Sequence, residues 1–258
     1  MAARRFDTDA LLEQLLEHKE NAFKGFYERY RGRVYRFIVR QCGNGEEGQA
    51  EYISIWANLI KARLSCKDGK CLKLAFLESL RRPTFKPLIK TSMVIPFTLM
   101  PRELEEEGGW STLLVEMVRR LPEGLRKRFL FRYEIGLSHK AIATVLHEDK
   151  NTSERYINEA ERKLFEGLEN AGCKMQISLD SLYRETRSLG PPASWDQEVL
   201  SAYPGWLKNG VPDELINLHL PKEPQSRMAS IKAFLQNTVS HLRADISAKI
   251  HNTHQSTL

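Results

Sequence analysis

The sequence predicts an all-α protein, and three observations carry this. Apolar residues recur every three or four positions along most of the chain, proline and glycine clusters separate these stretches, and two-residue alternation is nearly absent. The only strand-like run is Met93–Phe97. Hydrophobic residues make up 41% of the 258 and charged residues 28%, values that exclude wholesale disorder and a collagen-like fibre.

The elements follow in order. Asp7 or Thr8 caps a first helix with Leu11, Leu12, Leu15 and Leu16 on its apolar face. A second, to about Gln41, carries Phe23, Phe26, Tyr27, Tyr30, Val34, Phe37 and Ile38, and Gly43-Asn44-Gly45 ends it. The third spans about Glu46 to Arg63, with Tyr52, Ile53, Trp56, Leu59 and Ile60 on one face. After a Cys/Gly loop a fourth runs from about Leu72 to Arg82. Pro83, Pro87, Pro96 and Pro101 then mark an irregular stretch, because proline removes a backbone donor and disfavours helix before it. Ser111 to Ala171 is helical again, restarted at Pro122, with a turn at Gly136-Leu137-Ser138. The expected organisation is two small helical domains, residues 1–87 and 111–172, joined by a linker, 88–110, and followed by a mainly helical C-terminal extension, 173–258. The extension holds Trp195, Tyr203, Trp206 and several prolines. It closes on an amphipathic helix bearing Ile231, Phe234, Leu235, Val239, Leu242, Ile246 and Ile250.

Charge narrows the function. The net charge is +6, and within Lys61–Lys90 nine basic residues face only Asp68 and Glu78, an excess able to neutralise phosphates. No apolar run approaches the ~20 residues that span a bilayer, so no membrane segment is expected. Met1–Asp9 is charged without an apolar core, which predicts a cytoplasmic protein. Cys66-Lys-Asp-Gly-Lys-Cys71 supplies two of the four ligands that zinc needs, so the pair reads as a zinc half-site, a transient disulfide or ordinary loop thiols. No histidine cluster, phosphate-binding glycine loop or nucleophile elbow is present, so neither a cofactor, a metal site nor an enzyme is expected.

The most informative stretch is Leu137 to Asn158. Ser138 caps a short helix, His139–Leu146, which buries Ile142 and Leu146, and Ala143 permits close crossing. A turn over His147–Lys150 leads to a second helix from Asn151 or Thr152 to about Leu168, which buries Ile157 and Ser153. This is a helix-turn-helix pattern whose second helix enters a DNA major groove. Thr152, Ser153, Glu154, Arg155 and Asn158 are the candidate DNA-reading residues.

Leu121-Pro122, the apolar run to Arg132-Tyr133, the Gly136-Leu137-Ser138 turn, Ile142-Ala143 and Ala160-Glu-Arg-Lys-Leu164 resemble region 4 of the extracytoplasmic-function (ECF) sigma factors. Ala22-Phe23, Phe26-Tyr27, Tyr30 and Val34-Tyr35 resemble region 2.1 of that family; Gln49, Tyr52-Ile53 and Trp56 to Leu59 resemble region 2.2, and Phe76-Leu77 the start of region 2.3. The resemblance covers about residues 5–170. It implies binding to RNA polymerase core through the β′ coiled coil and β flap, recognition and opening of promoter DNA, and control by an anti-sigma factor. Glu46, Glu47, Gln49 and Asn58 would face core polymerase. Phe76, Arg81, Arg82, Phe85, Lys86 and Lys90 would lie near the −10 strand, where aromatics stack on flipped bases and cations hold phosphates.

Three features depart from the family pattern. Arg82-Pro83-Thr84-Phe85-Lys86-Pro87 replaces a continuous region 2.3–2.4 helix, His147 stands where the turn usually has glycine, and Glu154, Glu159 and Glu161 make the recognition helix acidic. Carboxylates facing DNA accept from cytosine or repel phosphate, which fits weak intrinsic affinity offset by tethering to polymerase. Two other functions are compatible with the residues. One is a degenerate sigma-like protein that binds polymerase or an anti-sigma factor and needs another partner to reach DNA. The other is a free-standing helix-turn-helix regulator. The extension reads as a small packed appendage or as a regulatory segment that occludes region 4 or binds a partner.

Overall fold

The computed structural model describes residues 9–17, 21–82, 109–173 and 178–216. The chain divides into two units, Met1–Leu218 and His219–Leu258, and every described residue belongs to the first. The Asp7 or Thr8 cap, the Met93–Phe97 run, most of the linker and the closing helix through Ile250 lie outside the described residues.

Within them the protein is all-α. The helices are α1 (Asp9–Leu16), α2 (Ala22–Cys42), α3 (Glu46–Arg63), α4 (Gly69–Arg81), α5 (Gly109–Arg120), α6 (Glu123–Leu130), α7 (His139–Leu146), α8 (Lys150–Asn170), α9 (Leu179–Glu185) and α10 (Ala193–Asn209). A π-helical turn, Phe131–Ile135, prolongs α6, and short 3-10 turns follow α9 and α10 at Thr186–Ser188 and Asp213–Leu215.

The first four helices pack around an aromatic core. Phe26 meets Phe76 at 5.3 Å between ring centroids, Trp56 lies 4.7 Å from Tyr27, and Phe23, Phe26, Trp56 and Phe76 are all within 1% of full burial. Burying each such side chain contributes roughly 1.5–3 kcal/mol. Gly43, with φ of 90°, ends α2, and the following loop is close enough that a Cβ on Gly48 would sit 2.1 Å from the Gly43 carbonyl oxygen. α4 begins earlier than its apolar pattern, because Asp68 caps it by accepting from the Cys71 N–H at 2.7 Å. Cys66 and Cys71 form a disulfide across this loop, with Cα atoms 5.4 Å apart. That resolves the alternatives open for the pair, and among the described residues no group of His, Cys, Asp or Glu is placed to hold a metal.

Helices from all three expected segments pack against one another. α2 touches α5, α6 and the π turn, α4 touches α7, and Phe37 meets Phe131 at 5.0 Å. At this junction Glu134, on the π turn, is buried between two arginines of α2. Arg36 Nε donates to Glu134 Oε2 at 3.0 Å, and Arg40 pairs with the other carboxylate oxygen. The extension supplies the remaining partners. Arg36 donates to the carbonyls of Arg187 (2.9 Å) and Leu189 (2.8 Å), and Arg40 donates to the Thr186 hydroxyl (2.7 Å) and to Tyr183. Burial pushes both guanidinium pKa values down, since a low-dielectric interior penalises the charged form.

Replacing Glu134 by glutamine leaves two buried arginines without a counter-charge. E134Q is expected to lose about 3 kcal/mol or more of unfolding free energy in urea denaturation. A loss below about 1 kcal/mol would show that the network does not hold the halves together.

Candidate nucleic-acid interface

The helix-turn-helix is built from local signals. Gly136, in the left-handed region at φ of 84°, closes the π turn, and Ser138 then caps α7 by accepting from the Ala141 N–H at 3.2 Å. His147, at φ of 56°, takes the left-handed position that ends α7. Asp149 caps α8, accepting from the Thr152 N–H at 2.8 Å and from its hydroxyl at 2.5 Å, and these bonds lower the carboxyl's pKa. α8 therefore starts at Lys150, ahead of the expected Asn151 or Thr152. Ile142, Ala143, Ile157, Ala160 and Leu164 form the interior of the motif. Leu146, expected in that interior, is only half-buried; Val145 points inward instead.

On the outer side of α8, Arg155 and Asn158 are exposed and Glu154 is half-buried. They share an open hollow with Asn151, Tyr156, Glu159 and Arg162. Ser153 is fully buried, so it cannot contact DNA; it faces the motif interior, as the packing half of its sequence reading requires. Thr152 spends its hydroxyl on Asp149. Part of the acidic character of the helix is neutralised within the chain. Glu159 accepts from Arg162 at 2.8 Å, which pulls its carboxyl pKa down, and Glu161 accepts from the Tyr133 hydroxyl at 2.8 Å. Sequence reasoning missed Tyr156. The guanidinium groups of Arg128 (4.5 Å) and Arg155 (5.3 Å) both approach its ring at cation–π distance, the first brought there by three-dimensional packing.

Residues 111–164 match the family model for sigma-70, region 4. The match runs from α5 through most of α8 and supports a sigma-factor or DNA-binding role in transcription. None of the curated proteins and none of the solved structures matches the chain. No described helix is long and apolar enough to cross a membrane.

The other candidate residues separate. Phe76, expected near a DNA strand, is completely buried against Phe26 and Trp56, because α4 turns its aromatic face into the core. Arg81 donates to Glu78 at 2.8 Å, and His147 of the helix-turn-helix approaches the same carboxylate at 3.1 Å. Arg82 is half-buried at the end of α4. Phe85, Lys86 and Lys90 lie outside the described residues. On α3, Glu46 and Glu47 are exposed, and Gln49 donates to Glu198 of α10 at 2.6 Å. Asn58, expected to face a partner, is 2% exposed and donates to Ser54 at 3.2 Å, while Ser54 in turn donates to the Leu215 carbonyl. The extension covers the side of α3 on which Asn58 was expected to be open.

Beneath α10, the Tyr27 hydroxyl donates to Asp196 at 2.6 Å and lies 3.0 Å from the Tyr52 hydroxyl. Burial pushes the Tyr27 pKa upward and that of Tyr52 up to about 12. A phenol whose folded pKa is raised stabilises the fold fully below the unfolded value of about 10, and that stability is lost as pH rises. Unfolding free energy from urea curves is therefore expected to stay level between about pH 7 and 9 and to fall above about pH 10. A level profile through about pH 11 would contradict the buried phenol pair.

Proposed function

We propose that the chain is an alternative sigma factor of the ECF type, which binds RNA polymerase core in the cytoplasm and directs it to a small set of promoters. The observation that carries this is the open reading face of α8, with Arg155 and Asn158 exposed, on a helix-turn-helix whose sequence matches sigma-70, region 4. The bundle α1–α4 precedes it, and its residues resemble region 2. Arg155, Asn158 and Glu154 read the −35 element, with Tyr156 bracing Arg155. The α3 side carrying Glu46, Glu47 and Gln49 meets the β′ coiled coil, and the stretch after α4, with Phe85, Lys86 and Lys90, reaches the −10 strand. An anti-sigma factor is the natural partner for control.

One observation favours a second reading. α4 ends at Arg81, just before Pro83, with Phe76 buried and Arg81 paired, which leaves fewer groups for melting DNA. That supports a sigma-like protein that binds polymerase and relies on another partner for promoter opening.

Purified RNA polymerase core, mixed with the full chain and genomic fragments, tests both in one run-off assay. Core binding with specific transcripts is expected. Core binding without transcripts would favour the partner-dependent form, and no core binding would leave a free-standing DNA binder. Arg155→Ala is expected to weaken binding to the recovered −35 sequence by about 1–3 kcal/mol, roughly tenfold or more, and to relax specificity at one position. Unchanged affinity and specificity would remove Arg155 from the reading set.

A further inference from the structure

Residues 193–215 lie against α2 and α3 and hold both by a mixed set of contacts. Trp195, 4% exposed, packs edge-on against Tyr35 (5.2 Å) and 5.6 Å from Tyr52. Tyr203 stacks on Phe23 at 4.0 Å with rings 13° from parallel. Around these anchors sit polar contacts: Asp196 with Tyr27 and Arg31, Glu198 with Gln49, Asp213 with Lys61, and the Leu215 carbonyl with Ser54. We propose that this segment is a built-in competitor for RNA polymerase core, which must be displaced from α3 before polymerase can bind. The inference rests on the polymerase-binding reading above and names the regulation of that same face.

Four features argue for displacement rather than permanent packing. The segment meets α3 at two places: α10 takes the Gln49 amide through Glu198, and the turn Asp213–Leu215 takes the Ser54 hydroxyl that Asn58 donates to. It leaves the reading face of α8 open, so its coverage is selective. Its far end is weakly held: in the Lys61–Asp213 pair both side chains are exposed, Asp213 96%, and exposed ion pairs contribute about 0–1 kcal/mol each. Its apolar hold rests on few side chains, the buried Trp195, Val199 and Trp206 and the stacked Tyr203, and a short set of aromatic anchors of this kind carries most of the binding energy at protein interfaces. A competitor held on the same chain acts at high effective concentration, so apparent affinity for polymerase falls by the fraction of molecules in which α3 is free.

Affinity for purified core polymerase, measured on the full chain, tests this with two variants. W195A/Y203A removes the two aromatic contacts with α2 and α3 described above and is expected to bind core at least tenfold more tightly than wild type. Q49C/E198C places two thiols that a short bis-maleimide can bridge across the gap left by the two long side chains. Its cross-linked form is expected to bind at least tenfold more weakly than the same protein before cross-linking, with wild type treated with the same reagent as the control for the native cysteines. If W195A/Y203A fails to fold, the comparison before and after cross-linking decides alone. Equal affinity in every form would overturn the competitor while leaving polymerase binding intact. No core binding by any form, W195A/Y203A included, would overturn the polymerase reading and the competitor with it.

Discussion

Glu134 is the constraint on which the described fold depends. A carboxylate with no exposed surface is stable only where charge and donors surround it, and Arg36 and Arg40 supply both. The two arginines come from α2, the glutamate from the π turn after α6, and the acceptors that satisfy the remaining guanidinium groups from Thr186, Arg187 and Leu189 of the extension. Arg40 also lies 4.6 Å from the Tyr183 ring, so the cation closes on an aromatic face as well. Three parts of the sequence are joined because none can satisfy its buried polar groups alone. Removing one partner strands the others, which makes the junction a two-state element rather than a graded one.

That junction shapes how the protein could act on a promoter. Elements named −10 and −35 are about 25 base pairs apart, roughly 80 Å at 3.4 Å per pair. In the chain, His147 of the helix-turn-helix sits 3.1 Å from Glu78 of α4, so the half proposed to read one element is folded onto the half proposed to meet the other. Under the proposed function the closed arrangement is a resting state, and polymerase supplies the binding energy that opens it. The competitor on α3 and the Glu134 junction then act together, since α9, α10 and the turns beside them belong to one continuous segment.

The sequence was most legible where structure is local. The bounds of α3 and α7 agree with the expectation from periodicity and capping, and Ser138 caps as its position requires. Asp149 was legible in principle, because an aspartate three residues before a threonine at a helix start is a capping signal. Apart from the starts of α4 and α8, which the local caps Asp68 and Asp149 set, the misses are long-range. Periodicity marks a buried side only when the other side meets water, and α3 is buried from Tyr52 to Ile60 because α4 and the extension enclose it. Asn58 and Phe76 were therefore placed outward by family pattern and inward by packing. The contacts of Asp196 with Tyr27 and Arg31, more than 160 residues away in sequence, left no local trace, and Pro204 inside α10 disguised a helix as a break. Tyr156 became visible only when Arg128 was brought beside it.

The central claim is a closed chain that opens on polymerase. Spin labels on Lys70 of α4 and Lys150 at the start of α8, both exposed, report it directly through pulsed dipolar distance measurement. The account predicts one short distance in the free protein and a markedly longer one when core polymerase is bound. The same distance distribution in both states, or a long distance already present in the free protein, would contradict it.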